Sequence, residues 1–300
     1  MTDIAVCVPL SASQMQRLQS GAKGYALKAD APCDCSIVFG NPVPDGIAAN
    51  ASLRWLQLES VGFGEYVGLD WTRPAGPTQV TNLAGFFSDP VAESALAGIL
   101  ALCRGIDRLV RLQDRTEWQG GAVRPLLRRL SGARVVLFGF GSINRRLAEM
   151  LVPFGCTVTT LARDWTGASL AEALSEADIV VSTVPATPET AGVFNAARFA
   201  LMPAGAVFCN FGCGSAMDEA ALDAALRAGH LGGAVIDVTR DGPMPSNRAF
   251  WTCPNLLLTQ HSGGGTSDEV ERKIDHFLAN LALFRESRPL TGLVDFSRGY

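Results

Sequence analysis

Two glycines and their neighbours carry the first chemical signal in this chain. The run Arg134-Val-Val-Leu-Phe138 leads into Gly139-Phe-Gly141-Ser142-Ile143-Asn144, and apolar residues then recur at Ile143, Leu147, Met150, Leu151 and Phe154. That pattern predicts a short strand, a tight turn and a helix with one apolar face. A β-rich run, Thr157-Val-Thr-Thr-Leu-Ala162, follows. Glycine at 139 and 141 lets backbone N–H groups approach a pyrophosphate, whose charge the helix N-terminus favours. A Gly-x-Gly pair alone is weak, but between a strand and a helix it reads as half of a dinucleotide-binding βαβ unit. The third position of such turns, usually Gly or Ala, is Asn144. An asparagine there predicts either wider helix–sheet packing or a hydrogen bond to its surroundings.

The end of the second strand bears on which dinucleotide binds. An acidic residue there would hold the ribose hydroxyl of NAD. This chain has Ala162 followed by Arg163, and a guanidinium fork suits a 2′-phosphate, which favours NADPH. The alternative is a surface Arg163 with Asp164, one step on, serving NADH.

Composition narrows the setting. The chain has 300 residues, 48% hydrophobic and 18% charged, enough for two modest domains with substantial cores. A formal charge of −4 gives no support for nucleic-acid or anionic-membrane partners. No apolar run is long enough to cross a membrane, and the start, Met-Thr-Asp-Ile-Ala-Val, does not resemble a signal peptide. A cytoplasmic location is expected. Eight scattered cysteines read mostly as small buried residues in a reducing compartment, and their spacings fit no zinc site, so no metal is expected.

The elements that must position the turn alternate. Strands are expected at Ile4–Pro9, Cys35–Gly40, Arg54–Glu59, Ile179–Pro185, Ala206–Gly212, Ala234–Val238 and Leu256–Thr259. Helices are expected at Ser11–Gly21, at Ser88–Arg104 behind a Ser-Asp-Pro start signal, at Asp218–Ala228 stopped by Gly229, and at Ser267–Phe284. Arg115–Arg129 reads as polar and irregular. This is an α/β pattern with parallel sheets.

Taken together, several ordered segments resemble the D-isomer-specific 2-hydroxyacid dehydrogenases, most of all their glyoxylate/hydroxypyruvate reductase branch. They are Leu53-Arg-Trp-Leu-Gln…Ser60-Val-Gly62, Asn82-Leu-Ala-Gly85, Val91-Ala-Glu93 and the Gly139 turn. Next come Ala177-Asp-Ile-Val…Pro185-Ala-Thr-Pro-Glu-Thr190 and Met202-Pro-Ala-Gly-Ala-Val…Asn210. Last are Gly232-Gly-Ala-Val-Ile-Asp-Val238, Pro254-Asn-Leu…Thr259-Gln-His261 and the tail Val294–Tyr300. The resemblance covers nearly the whole chain. It implies two doubly wound parallel-sheet domains with a cleft between. One is a flavodoxin-like substrate domain at 1–96 plus 278–300, the other a Rossmann cofactor domain at 97–277. It also implies a homodimer and hydride transfer to a 2-keto acid.

The resemblance assigns roles residue by residue. His261 would be the proton donor, which suits an imidazole near neutral pH. The Val61 and Gly62 backbone would hold a substrate carboxylate. The cofactor would meet Gly139, Gly141, Ser142, Ile143, Arg163, Val184, Pro185, Thr190, Phe211, Gly212, Asp237 and Gly263. Trp118 stands where related reductases present an aromatic to the partner subunit, although a loop anchor is an equal reading.

Two family residues are replaced. The arginine of Asn-x-x-Arg-Gly is Cys213, in Asn210-Phe-Gly-Cys213-Gly. The glutamate before the proline that follows the Asp-Val strand is Gly242, in Asp237-Val-Thr-Arg-Asp-Gly242-Pro243. Losing the arginine removes a bidentate carboxylate partner and an electrophile, worth on the order of 100–1,000-fold in rate. Losing the carboxylate removes the group that orients the imidazole. Asp241 or Arg240 is a candidate replacement, each weighed against being a surface residue. Cys213 reads first as a small pocket-lining residue, with a reactive thiol or an evolutionary relic as alternatives. The expectation is therefore an NADPH-preferring reductase of a 2-keto acid or a related keto or imine compound, with altered substrate recognition. The rival is a catalytically weak or inactive NADP(H)-binding sensor or interaction protein.

Overall fold

The computed structural model describes residues 2–74 and 76–298. Of the tail segment, Gly299 and Tyr300 lie outside the described residues. The chain divides into two compact units, one comprising residues up to Phe86 and from Thr266 onward, the other Phe87–Gly265.

The first unit is a five-stranded parallel sheet. Its strands are β1 (Thr2–Cys7), β2 (Tyr25–Ala29), β3 (Ile37–Gly40), β4 (Trp55–Gln57) and β5 (Gln79–Thr81), in the order β2-β1-β3-β4-β5. That is the flavodoxin-like order expected for the substrate domain. Helices α1 (Ala12–Gly21) and α2 (Pro44–Ala48) connect the strands. Period-2 alternation splits β1 between two cores: Ile4 and Val6 join a layer with Phe277 and Leu281, whereas Ala5 joins one with Ile47 and Leu56. A sheet covered on both faces needs apolar residues on both, which is why β3 is buried throughout.

The second unit carries a helical stretch and then a six-stranded parallel sheet. The helices are α3 (Ser88–Arg104), α4 (Ile106–Asp114) and the short α5 (Gly120–Val123). The βα units follow as β6 (Arg134–Phe138), α6 (Ser142–Leu151), β7 (Thr157–Leu161), α7 (Gly167–Glu176), β8 (Ile179–Ser182), α8 (Ala196–Leu201), β9 (Val207–Asn210), α9 (Glu219–Arg227), β10 (Gly233–Ile236) and β11 (Leu256–Leu258). Strand order is β11-β10-β9-β8-β6-β7. The order reverses between β6 and β8, and that switch point is where doubly wound sheets bind ligands. Again β6 alternates: Val136 and Phe138 face one core, Val135 and Leu137 the other.

Helix α3 matches its expected span. Its left-handed C-cap at Gly105 stops it, and Val91, Ala95, Ile99 and Cys103 pack into the second unit. The final helix, α10 (Glu269–Arg285), packs Ile274, Phe277 and Leu281 into the first. The expected domain boundaries, 96/97 and 277/278, therefore fall inside helices and move to 86/87 and 265/266. A helix commits its apolar stripe to one core, so the chain changes unit before each helix rather than within it. The 115–129 stretch is less irregular than expected, with α5 and a 3₁₀ turn at Arg124–Leu126. Cysteines are free. Burial pushes Cys7 to about 11 and Cys253 to about 12, so both stay thiols at neutral pH. Cys33, contrary to the general expectation, is exposed.

Candidate active site

At the end of β6 the chain turns through Gly139 at φ +84, a left-handed conformation in which a Cβ would sit 2.9 Å from Val184 Cγ1. Only glycine gives the backbone this approach. The Gly139 N–H donates to the Leu161 carbonyl at 2.9 Å, and its own carbonyl accepts from Thr183 Oγ1 and Asn144 Nδ2, each at 2.8 Å. The expected choice at Asn144 thus resolves as a hydrogen bond. The side chain is fully buried, and carbonyls of Gly139, Phe138 and Val181 surround its amide. Its Oδ1 has no partner.

The turn fits a pyrophosphate. A Cβ built on Gly141 meets no atom within 4 Å, so the space beside the turn there is open. Helix α6 has no side-chain cap and no acidic residue in its first turn. Its leading N–H groups, at Ser142 and Ile143, are the kind that an anion satisfies. Arg163 lies in the exposed turn just past β7, whose Leu161 pairs with Phe138.

The ends of β8 and β9 close around this turn. Thr190 is buried and its Oγ1 donates to the Pro185 carbonyl at 2.7 Å, folding 185–190 into a compact loop. A Cβ on Gly212 would overlap the Val184 carbonyl. Phe211, a cofactor-binding candidate, has its side chain in the core cluster with Leu137 and Cys209. Asn210 staples the next loop, donating to the Cys213 carbonyl at 2.9 Å and accepting from the Gly212 N–H at 3.3 Å. Cys213 is half-buried with its Sγ 3.1 Å from Ser215 Oγ, and Gly214 lies against the backbone of Thr239.

His261 sits where β11 ends. Gln260 (φ 54) and His261 (φ 57) are both left-handed, an uncommon pair for residues with a Cβ. Asp237 holds the turn in place. Its carbonyl accepts from the His261 N–H at 2.7 Å, and its Oδ1 accepts from Thr259 Oγ1 (2.5 Å), Ser262 N–H (3.1 Å) and Gly263 N–H (3.0 Å). Asp237 is 6% exposed while the His261 side chain is exposed. Backbone strain of this kind persists where surroundings over-determine it, and it clusters at functional sites. A cavity of about 520 Å³ adjoins His261, with Pro243, Met244, Trp251 and Leu258 among its walls.

Of the candidate replacements for the missing groups, the Asp241 side chain is engaged elsewhere, and Arg240 is held through its backbone. The Asp241 carboxylate pairs with Arg248 at 2.6 Å, and Arg240, an exposed residue, donates its N–H to Glu219 Oε1 at 2.8 Å. In the first unit, Val61 (45% exposed) and Gly62 lie on a loop held by two asparagines. Asn41 Nδ2 donates to Ser60 Oγ at 2.9 Å and Asn82 Nδ2 to the Val61 carbonyl at 2.7 Å. Trp118 is 99% exposed, next to a groove that includes Leu109 and Leu112.

The structure thus gathers Gly139, Gly141, Val184, Gly212, Asp237, Gly263 and His261 along the carboxyl ends of one sheet. Several supporting residues were not anticipated. Thr183, Asn210, Thr259 and Gln260 shape the loops, and Met244 and Trp251 line the cavity. Asn210 and Thr259 stood in recognised segments as polar residues ending apolar strands, and that was the available signal. Among the described residues there is no group of ligands for a metal and no helix long and apolar enough to cross a membrane.

An open parallel sheet with a glycine turn at its switch point and an uncapped helix behind it defines a dinucleotide-binding oxidoreductase domain. The sequence profile described as D-isomer specific 2-hydroxyacid dehydrogenase, NAD binding domain, matches residues 96–263. The chain belongs to that family of NAD(P)-dependent enzymes. It is 28% identical over 285 residues to glyoxylate/hydroxypyruvate reductase A of Yersinia enterocolitica, covering 90% of this chain and 88% of that one. It is 34% identical over 221 residues to hydroxyphenylpyruvate reductase of Plectranthus scutellarioides, covering 71% and 69%. Its fold matches a D-isomer specific 2-hydroxyacid dehydrogenase from Xanthobacter autotrophicus Py2 in complex with NADPH and MES, with TM-score 0.82 and 25% identity over 100% of this chain and 99% of that one.

Proposed function

We propose that the chain is an NADPH-preferring cytoplasmic reductase of a 2-keto acid or a related keto or imine compound, recognised in a non-standard way. The observation that carries this reading is the His261 turn. The His261 backbone is fixed in a left-handed conformation by Asp237 on the same strand ends that carry the glycine turn. Arg163 past β7 favours the 2′-phosphate, and the relative crystallised with NADPH agrees with that choice. Bound NADPH would supply the hydride.

The remaining roles fall to the chain. Gly139, Gly141, Ser142 and Ile143 would hold the pyrophosphate, with Val184, Pro185, Thr190, Phe211 and Gly212 bordering the cofactor through backbone and small side chains. Asp237 and Gly263 would position the nicotinamide end. His261 would give its proton to the substrate oxygen or nitrogen as negative charge develops there. The Val61 and Gly62 backbone would receive a carboxylate where the substrate has one. Cys213 in place of arginine leaves that end of the site small and uncharged, which suits a bulkier or less anionic carbonyl compound. Trp118 would meet the partner subunit of a homodimer.

The test is NADPH oxidation with glyoxylate, hydroxypyruvate, aryl-substituted 2-keto acids and uncharged ketones and imines. Turnover of at least one class is expected. NADPH binding with no oxidation across the panel would overturn the reading. It would favour a non-catalytic NADP(H) sensor, for which the engaged Asp241 and the absent arginine speak.

A further inference from the structure

The cavity beside His261 coincides with a chemical deficit. Among the described residues no carboxylate bonds to the His261 ring, and each acidic group on the neighbouring segments is committed. Asp237 Oδ1 already accepts three hydrogen bonds. Asp241 pairs with Arg248, and Glu219 Oε1 caps the Arg240 N–H. At Gly242, which matches the family's glutamate, an added Cβ would meet no atom within 4 Å. The space where a carboxylate would stand is therefore open. Next to it lies the cavity of about 520 Å³, a volume typical of small-molecule sites. Ile236, Pro243, Met244, Trp251 and Leu258 give it apolar walls, and Asp237, Thr239, Gln260 and His261 give it a polar end, with Asp237 Oδ1 turned to its three donors at 259–263.

We infer that this cavity binds a small monocarboxylic acid with an apolar body, whose carboxylate stands in for the missing side-chain carboxylate beside His261. The apolar walls take the body of the ligand, with Trp251 and the adaptable thioether of Met244 against it. No carboxylate bonds to the His261 ring among the described residues, and a ligand carboxylate would both pair with the protonated form of that ring and orient it. A cation would face the imidazole, with Asp237 already occupied by three donors. A neutral amide would bring no charge. The effect on turnover rests on the reading of His261 as proton donor; the binding does not.

The probe is 3-phenylpropanoate, added to the full chain while the histidine imidazoles are titrated by NMR. The His261 signal is assigned by its loss in His261→Gln. A carboxylate neighbour favours the protonated ring, so the His261 midpoint should rise by about one pH unit at saturating acid. Equal concentrations of 3-phenylpropanamide should leave it in place. Gly242→Glu should raise the midpoint without the acid and abolish the response to it. Trp251→Ala should weaken binding by roughly tenfold, as loss of an aromatic side chain that packs on the ligand does. Met244→Trp, which fills the cavity from a wall residue outside the His261 turn, should abolish binding and so covers the case in which Gly242→Glu fails to fold. No movement of the midpoint with the acid, or the same movement in Met244→Trp, would overturn the inference. Acid that moves the midpoint and raises kcat supports both this site and the proton-donor role. Acid that moves the midpoint with turnover unchanged keeps the site and removes His261 from the chemistry.

Discussion

At the scale of single residues, the site is half complete. His261 is held by its backbone and by the Asp237 loop, and among the described residues no carboxylate bonds to its ring. Replacing it with Asn should lower kcat by roughly 100–10,000-fold, the range for losing a positioned general acid. NADPH affinity, measured by fluorescence titration, should stay the same. Restoring the clamp with Cys213→Arg should raise kcat/KM for glyoxylate by on the order of 100–1,000-fold, since one preorganised donor is worth that much. An unchanged value would mean that the loop stapled by Asn210 no longer presents residue 213 to substrate. Arg163→Ala should weaken NADPH by roughly 10–100-fold, as a charge-assisted hydrogen bond contributes about 1.5–3 kcal/mol. NADH affinity should not change, and a parallel loss for both cofactors would remove the 2′-phosphate from the account.

At the scale of elements, close packing sets what the helices tolerate. Gly98 in the middle of α3 lies against β10, where a Cβ would sit 2.6 Å from Val235 Cγ1. Val235 is fully buried and β-branched, so it cannot swing away. Gly98→Ala would gain about 1 kcal/mol of helix propensity but lose about 1–3 kcal/mol to overpacking. A net loss, read as a lower urea midpoint at constant slope, is expected; a gain would mean that α3 can shift. Several element ends were legible because capping chemistry marks them. Ser88–Arg104 is such a case, with Gly105 past its end. The strands were read too long at their carboxyl ends. Val184, Pro185, Phe211 and Gly212 continue the apolar composition of β8 and β9, but they leave the ladders to build the loops of the site. The edge strands β2 and β5 carried no comparable signal. β2 is half-exposed and β5 is only three residues long, and both lack the unbroken apolar run of a central strand.

At the scale of the whole molecule, the second unit exposes a series of large apolar residues between α4 and the 3₁₀ turn at Arg124–Leu126. Ile106, Leu109 and Val110 on α4, Trp118 and Leu126 are all exposed large hydrophobic residues of one chain segment. Such residues mark association surfaces. Sedimentation equilibrium should give a dimer for the proposed homodimeric enzyme, and Trp118→Ala should raise KM for the carbonyl substrate more than it lowers kcat, because a partner-supplied aromatic shapes the pocket without giving protons. A monomer at micromolar concentration with full activity would exclude this arrangement.

The sequence by itself determined the fold class, the glycine turn and the place of His261 just past a strand end, because each depends on local order: apolar period, glycine between strand and helix, a polar residue ending a strand. It also showed that Cys213 and Gly242 stand where charge is expected. Only the tertiary structure decided what surrounds those positions. Asp237 spends its carboxylate on the His261 turn, Asp241 on Arg248, and Asn144 its amide on Gly139. Those choices join residues that are far apart in the chain or compete for the same partner. Hydrogen-bond and packing geometry fixes them, and spacing along a sequence does not encode it.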